Sequence, residues 1–346
     1  MIELRTALTY DDVQLIPHFS DISSRSDIDL TTRLTRNVNI SLPFIASCMD
    51  TICEIDMVKV MAKLGAAGCI HRFMSIDEQV DMVILAHDKM AYPIMAAVGV
   101  GDSEMRRAAK LVRAGVEVIL IDVAHGHHIK VKEMIGYLVK LRNSTSGHTF
   151  DIIGGSIATA QAALDLCEWG VDGLRVGIGG GSICSTRIQT GHGVPSITSI
   201  SECADVAQQY DVPIIADGGL KSSGDIAKAI AFGADTVMLG SLIAGTKETP
   251  TPYIPTRDGL YKKYRGSASL ETKQAHGLKS NHVEGISIMV RDKGGVKFII
   301  NDLSDGLKSA LSYTGARTIE EFQVKAHANR VTPAGSIEAS THILTK

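Results

Sequence analysis

The chain has 346 residues, 45% hydrophobic and 21% charged, with a formal net charge of −3. That length buries a large core, as one big α/β domain or two smaller ones. No Lys/Arg stripe with interleaved aromatics offers a nucleic-acid footprint, and the longest apolar stretch, residues 90–101, is too short to span a bilayer.

The start, Met1-Ile2-Glu3-Leu4-Arg5, lacks the basic and then apolar regions of a signal peptide. Six cysteines (Cys48, Cys53, Cys69, Cys167, Cys184 and Cys203) lie in apolar runs without CxxC pairing. That argues against a disulfide framework or a thiolate zinc site, and a reducing cytoplasm is expected.

After an N-terminal arm, strand-like and helix-like segments alternate. Pro43–Ser47 precedes an amphipathic stretch over Ile55–Leu64, and Ala67–His71 precedes a helix over Ser75–His87. Ser75 is a natural N-cap, with Glu78 three residues on. Pro93–Val98 leads into Ser103–Ala114, Val116–Asp122 into Ile129–Arg142, and Asp151–Gly154 into Thr159–Trp169. Leu174–Val176 leads through a glycine loop to Ile197–Tyr210, Val212–Ala216 to Gly224–Phe232, and Thr236–Leu239 closes the series.

These eight strand candidates are continuous apolar runs, as expected when both faces are buried. Eight βα units within about 250 residues is the arithmetic of a (β/α)₈ (TIM) barrel, read here as a single domain. A doubly wound open sheet uses the same alternation. The barrel is preferred because the unusual residues all follow strands: Asp50, His71, Gly99/Gly101, Asp122, Ser156, Cys184, Asp217-Gly218-Gly219 and Gly240-Ser241. In a barrel they converge on one face.

From 246 to 299 the alternation stops, in a long excursion with the character of a lid. A last helix is expected over Leu303–Thr314, and 330–346 reads as a polar tail. In the excursion, Lys262-Lys263-Tyr264-Arg265 reads as a solvated edge.

The chemistry concentrates at Gly177-Ile178-Gly179-Gly180-Gly181-Ser182-Ile183-Cys184-Ser185-Thr186-Arg187. Four glycines in five positions let a backbone turn sharply and approach a ligand; three hydroxyls, a thiol and a guanidinium follow. Taken alone, the segment is equally a glycine-rich turn with a buried cysteine or a nucleophile beside a cradle. The turns after strands seven and eight, Asp217-Gly218-Gly219 and Gly240-Ser241, occupy the usual phosphate position of such barrels. An anionic Asp217 suits sugar hydroxyls better than phosphate. His125, His127 and His128 have poor spacing for zinc; Asp122 is the better functional candidate there.

Gly177–Arg187, Asp217-Gly218-Gly219, Gly224–Ala229, Ser24–Asp27, Met49-Asp50-Thr51, Ile70-His71-Arg72 and Ile121–Gly126, spread along nearly the whole chain, closely resemble the IMP dehydrogenase/GMP reductase family. The resemblance implies a barrel, usually tetrameric, acting at C2 of a purine nucleoside 5′-monophosphate. It implies that Cys184 is the nucleophile forming a thioimidate, Thr186 the proton-transferring partner, and Glu284 an acidic residue touching the base and Thr186. Ser182, Asp217, Gly218, Gly219, Gly240 and Ser241, with Gly266, Ser267, Ala268, Glu284 and Gly285, then match the nucleotide's contacts. Ser24, Arg25, Arg72, Asp122, Val123, Ala124, Ile178 and Gly179 match positions around a nicotinamide cofactor. Gly179, Gly181 and Cys184, with Arg187 nearby, match the site of a monovalent cation, K⁺.

The family's two branches differ in what reaches C2: water in the oxidation of IMP, hydride from NADPH in the reductive deamination of GMP. Gln79 runs to Pro93 without room for the regulatory insert typical of dehydrogenases. Between Gly266 and Glu284 the chain has neither the arginine nor the tyrosine of their water-activating flap. Ser201–Asp205 and Tyr313–Ala316 also lean to reductases, whereas Ala244–Pro250 and Arg330–Gly335 lean to dehydrogenases. Gly180, Ser185, Ser156 and Ser267-Ala268 depart from both. The reading is a GMP reductase using NADPH; a minimal IMP dehydrogenase, or a member acting on a related purine nucleotide, is the alternative.

Overall fold

The structure, a computed structural model, describes residues 4–89, 92–145, 149–269, 271–272 and 284–339. Its centre is a closed barrel of eight parallel strands: β4 (Phe44–Ala46), β5 (Ala67–Ile70), β6 (Ile94–Val98), β7 (Val118–Ile121), β8 (Asp151–Ile157), β9 (Gly173–Val176), β10 (Ile214–Asp217) and β11 (Thr236–Leu239). Each pairs with its sequence neighbours, and β11 closes on β4. All eight anticipated strands are present, in barrel order.

The continuous apolar runs conceal a period of two. Ile45, Met95, Val118, Leu120, Ile153, Ile215 and Met238 fill the barrel, while Phe44, Ile94, Ile119, Ile152, Ile214 and Val237 pack outward. The outer layer meets α1 (Ile55–Lys63), α2 (Ile76–Asp88), α3 (Asp102–Arg113), α4 (Ile129–Ser144), α5 (Ala160–Trp169), α7 (Ser196–Ala207) and α8 (Ser223–Ala231); a short α6 (Thr186–Thr190) lies between α5 and α7. The capping box of α2 forms as its sequence requires: Glu78 N–H donates to Ser75 Oγ, and Ser75 N–H to the Glu78 carboxylate. The inner end of the barrel is plugged by Leu34 and Ile40 of the hairpin β2 (Thr32–Arg33) and β3 (Asn39–Ile40).

The excursion is more ordered than the sequence indicates. Its strands β12 (Ile254–Thr256), β13 (Gly259–Arg265) and β14 (Ser287–Arg291) make an antiparallel sheet. The last long helix, α9 (Val296–Thr314), starts seven residues before Leu303, because Val296 and Ile300 extend its apolar face into the core. The Lys262–Arg265 segment is not a solvated edge: Lys262 and Tyr264 are buried, on one face of β13 by strand alternation. Leading into the polar tail, β15 (Ala328–Arg330) pairs with β1 (Val13–Leu15), and the tail itself contributes α11 (Pro333–Glu338); α10 (Ile319–Lys325) precedes them. Residues 340–346, and most of the segment proposed to lack a flap pair, lie outside the described residues.

Candidate active site

The strand ends open into a cleft of about 330 Å³. Gly177 has φ +146°, and a Cβ there would lie 2.0 Å from the Asp217 carbonyl oxygen. A Cβ on Gly218 (φ +93°) would lie 2.9 Å from the backbone of Gly180 and Gly181. The loops after β9 and β10 therefore pack backbone to backbone, which only glycine permits.

Further along the loop after β9, Cys184 lines the cleft. Cys184 N–H donates to Gly181 O at 3.0 Å, and Cys184 Sγ lies 3.1 Å from Thr186 Oγ1. Thr186 Oγ1 donates to Glu284 Oε2 at 2.7 Å, so its lone pairs face the thiol. Glu284 reaches this point because the excursion is stitched to the loop: Ser185 N–H donates to Glu284 O, and Ile286 N–H to Ile183 O. Gly285 does not line the cleft; it bridges Cys184 and Ser269 in the backbone ladder.

One charged chain crosses the cleft floor. Arg175 Nη1 donates to Asp122 at 2.7 Å, and Nε to Asp217 at 2.8 Å. Burial pushes the Asp122 carboxyl up, but Arg175 and Arg72 outweigh it and hold the group below its ordinary value. In the sequence Arg175 sits inside an apolar strand run, and a lone guanidinium in such a run is the signal that could have marked it.

At one end stand Ser182, Gly219, Gly240, Ser241 and Tyr264. The Tyr264 hydroxyl is pushed up to about 12, chiefly by burial and partly offset by its hydrogen bond with Ser182. Tyr264, expected from the sequence on a solvated edge, is a further site residue; strand alternation alone does not show which face of β13 meets the cleft. Gly266, Ser267 and Ala268 complete this wall, while Arg265 turns away to Asp50, donating at 2.6 and 3.0 Å.

At the other end Arg72, Asp122, Val123, Ala124, Ile178 and Gly179 line the cleft beside Cys184. Arg72 Nε is buried without a hydrogen-bond partner among the described residues, 3.6 Å from Asp122 Oδ2. An orphaned donor in an open cleft suits a polar ligand such as a carboxamide or ribose, so these residues fit a nicotinamide cofactor. Ser24 and Arg25 do not line the cleft; Ser24 caps a short exposed turn. Gly179, Gly181 and Cys184 offer backbone carbonyls, the donor type a monovalent cation takes, with that of Gly181 also accepting from Cys184 N–H. Arg187 braces them, donating to Ile178 O and Val194 O at 3.1 and 2.7 Å. His127 is engaged with Asp165 at 2.8 Å, and no three metal-ligating side chains converge among the described residues.

Residues 7–342 match the model of the IMP dehydrogenase / GMP reductase domain. The chain is 36% identical to an inosine-5′-monophosphate dehydrogenase of Cryptosporidium parvum over 97% of its own length and 94% of the relative's. It is 31% identical to a GMP reductase of Leishmania major, over 99% and 98%. A crystal structure of a GMP reductase variant from Trypanosoma brucei in complex with guanosine 5′-monophosphate superimposes with a TM-score of 0.91 at 32% identity, covering 98% of both chains. The Leishmania alignment runs over 485 positions against 346 residues here, so that reductase carries a large segment without a counterpart; the Cryptosporidium dehydrogenase aligns over 387. Absence of an insert therefore does not separate the branches. The chain belongs to the IMP dehydrogenase/GMP reductase family.

Proposed function

We propose that the protein is an NADPH-dependent GMP reductase, converting GMP to IMP and ammonia. The Cys184–Thr186–Glu284 chain, a nucleophile wired to a carboxylate through one hydroxyl, supports the covalent chemistry common to both branches; the observation that favours reduction is the stretch between Gly266 and Glu284, which holds neither arginine nor tyrosine to activate water. Binding the phosphate and ribose at Ser182, Asp217, Gly218, Gly219, Gly240 and Ser241 aligns C2 over Cys184. The thiol proton passes through Thr186 to Glu284 as sulfur bonds to C2. The same hydroxyl returns it to the departing amino group, the C2–N bond breaks, and a thioimidate remains on Cys184. Arg72, Asp122, Val123, Ala124, Ile178 and Gly179 would hold a nicotinamide cofactor beside Cys184, and bound there NADPH would be the source of the hydride taken up at C2. The C–S bond then breaks and its electron pair returns to Cys184 sulfur. Glu284, Gly266, Ser267 and Ala268 border the base.

K⁺ would bind the carbonyls of Gly179, Gly181 and Cys184, braced by Arg187, and hold the loop in shape. Ser24 and Arg25 match cofactor positions of the family but do not line this cleft; the homotetramer is the assembly the family resemblance leads us to expect. A cytoplasmic location is inferred from the thiol chemistry alone. GMP with NADPH should yield IMP, ammonia and NADP⁺. No turnover of GMP, with NADH formed from IMP and NAD⁺, would establish instead the second reading, a minimal IMP dehydrogenase, which the Cryptosporidium relative favours.

A further inference from the structure

The loop after β11 is held from behind by a lysine that never enters the cleft. Lys293, just after β14, donates from Nζ to Ser241 O at 2.8 Å and Leu242 O at 3.0 Å. Two backbone bonds keep it there: Lys293 N–H donates to Gly245 O at 3.1 Å, and Lys247 N–H to Gly294 O at 2.8 Å. Ser241 and Leu242 themselves line the cleft beside Gly240.

A trans peptide is planar, with its C=O and N–H on opposite sides. Holding the Ser241 carbonyl toward Lys293 therefore aims the Leu242 N–H the other way. Among the described residues lining the cleft, the only lysine or arginine side chains are Arg72 and Arg175, both facing carboxylates. Lys293 bonds instead to two neutral carbonyls, so its charge stands behind the loop and polarises these peptides toward an anion in front.

We propose that Lys293 is a positioning residue for the substrate's 5′-phosphate, fixing and polarising the Gly240–Leu242 loop. This rests on the reading of that loop as a phosphate cradle. It makes Lys293 a determinant of phosphate discrimination rather than of the chemical step.

The test measures binding of GMP and IMP against guanosine and inosine by calorimetry. In Lys293→Met the 5′-monophosphates should bind roughly tenfold more weakly, the scale of one charge-assisted hydrogen bond, while the nucleosides are unaffected. Lys293→Arg should recover most of the loss, and added salt should weaken monophosphate binding more in the unsubstituted protein than in Lys293→Met. Equal loss for nucleotide and nucleoside, or no loss, overturns the proposal. If Lys293→Met does not fold, Lys293→Gln decides: a nucleotide-to-nucleoside affinity ratio reduced about tenfold supports the proposal, and an unchanged ratio overturns it. Equal affinity for nucleotide and nucleoside in the unsubstituted protein overturns the cradle reading itself, a failure visible without any variant.

Discussion

Thr186 and Glu284, 98 positions apart in the chain, share a 2.7 Å hydrogen bond in which the hydroxyl is the donor. The carboxylate thereby sets the hydroxyl's orientation, leaving the oxygen's lone pairs toward Cys184 at 3.1 Å. Thr186→Val keeps the shape and removes the relay, so kcat should fall about 10²–10⁴-fold, the range of general acid–base catalysis, while nucleotide affinity changes little. Steady-state kinetics with calorimetric binding checks this. Cys184→Ala should abolish turnover and any purine adduct detectable by mass spectrometry, again with nucleotide still bound.

Arg175 lies between Asp122 and Asp217. Arg175→Met would leave two carboxylates near one another without their shared cation, and breaking a buried pair costs about 3–5 kcal/mol. Asp122 is held below its ordinary value, so its stabilising contribution is present above the usual carboxylate range and fades as pH falls through its lowered folded value. Denaturant unfolding should therefore show a gap between the two proteins at neutral pH that narrows in acid. A gap unchanged with pH would remove the electrostatic account.

Asp235 shows the opposite sign. Burial raises its carboxyl to about 6, against a backbone hydrogen bond from Ile214 that lowers it. A raised carboxyl favours folding below its unfolded value, and that contribution is lost as pH rises through about 6. Asp235→Asn retains an acceptor for Ile214 and cannot ionise. Relative to the unsubstituted protein it should gain about 1–3 kcal/mol between about pH 4 and about pH 8. Thermal melts across that interval measure the difference; parallel curves would count against it.

Gly177→Ala should be severe. Its Cβ would fall 2.0 Å from Asp217 O in a backbone of φ +146°, combining a conformation L-residues avoid with a backbone overlap. A loss of about 3 kcal/mol or more is expected, read as a lowered unfolding midpoint together with loss of turnover. Gly294→Ala, where φ is +72° but nothing lies within 4 Å of the added carbon, isolates the conformational part and should cost only about 1–2 kcal/mol.

The barrel was legible in the sequence because burial on both faces writes itself as eight apolar runs, and because every run is followed by turn residues. The glycine loop, the thiol and the paired glycine turns at Asp217 and Gly240 were legible too, since such backbones need glycine locally. What local pattern does not carry is contact at long range. Arg175 is hidden inside an apolar strand until folding brings Asp122 and Asp217 to it, and Tyr264 looked solvent-facing until β13 acquired partners. Lys293 looked like part of a loop until its ammonium met the carbonyls of Ser241 and Leu242. The sequence by itself determined the strand rhythm, the bare turns and the nucleophile, all set by neighbours in the chain. Only the tertiary structure decided which charges meet beneath the cleft, and which cation stands behind the loop after β11, because those distances depend on how the barrel closes and how the excursion folds back over it.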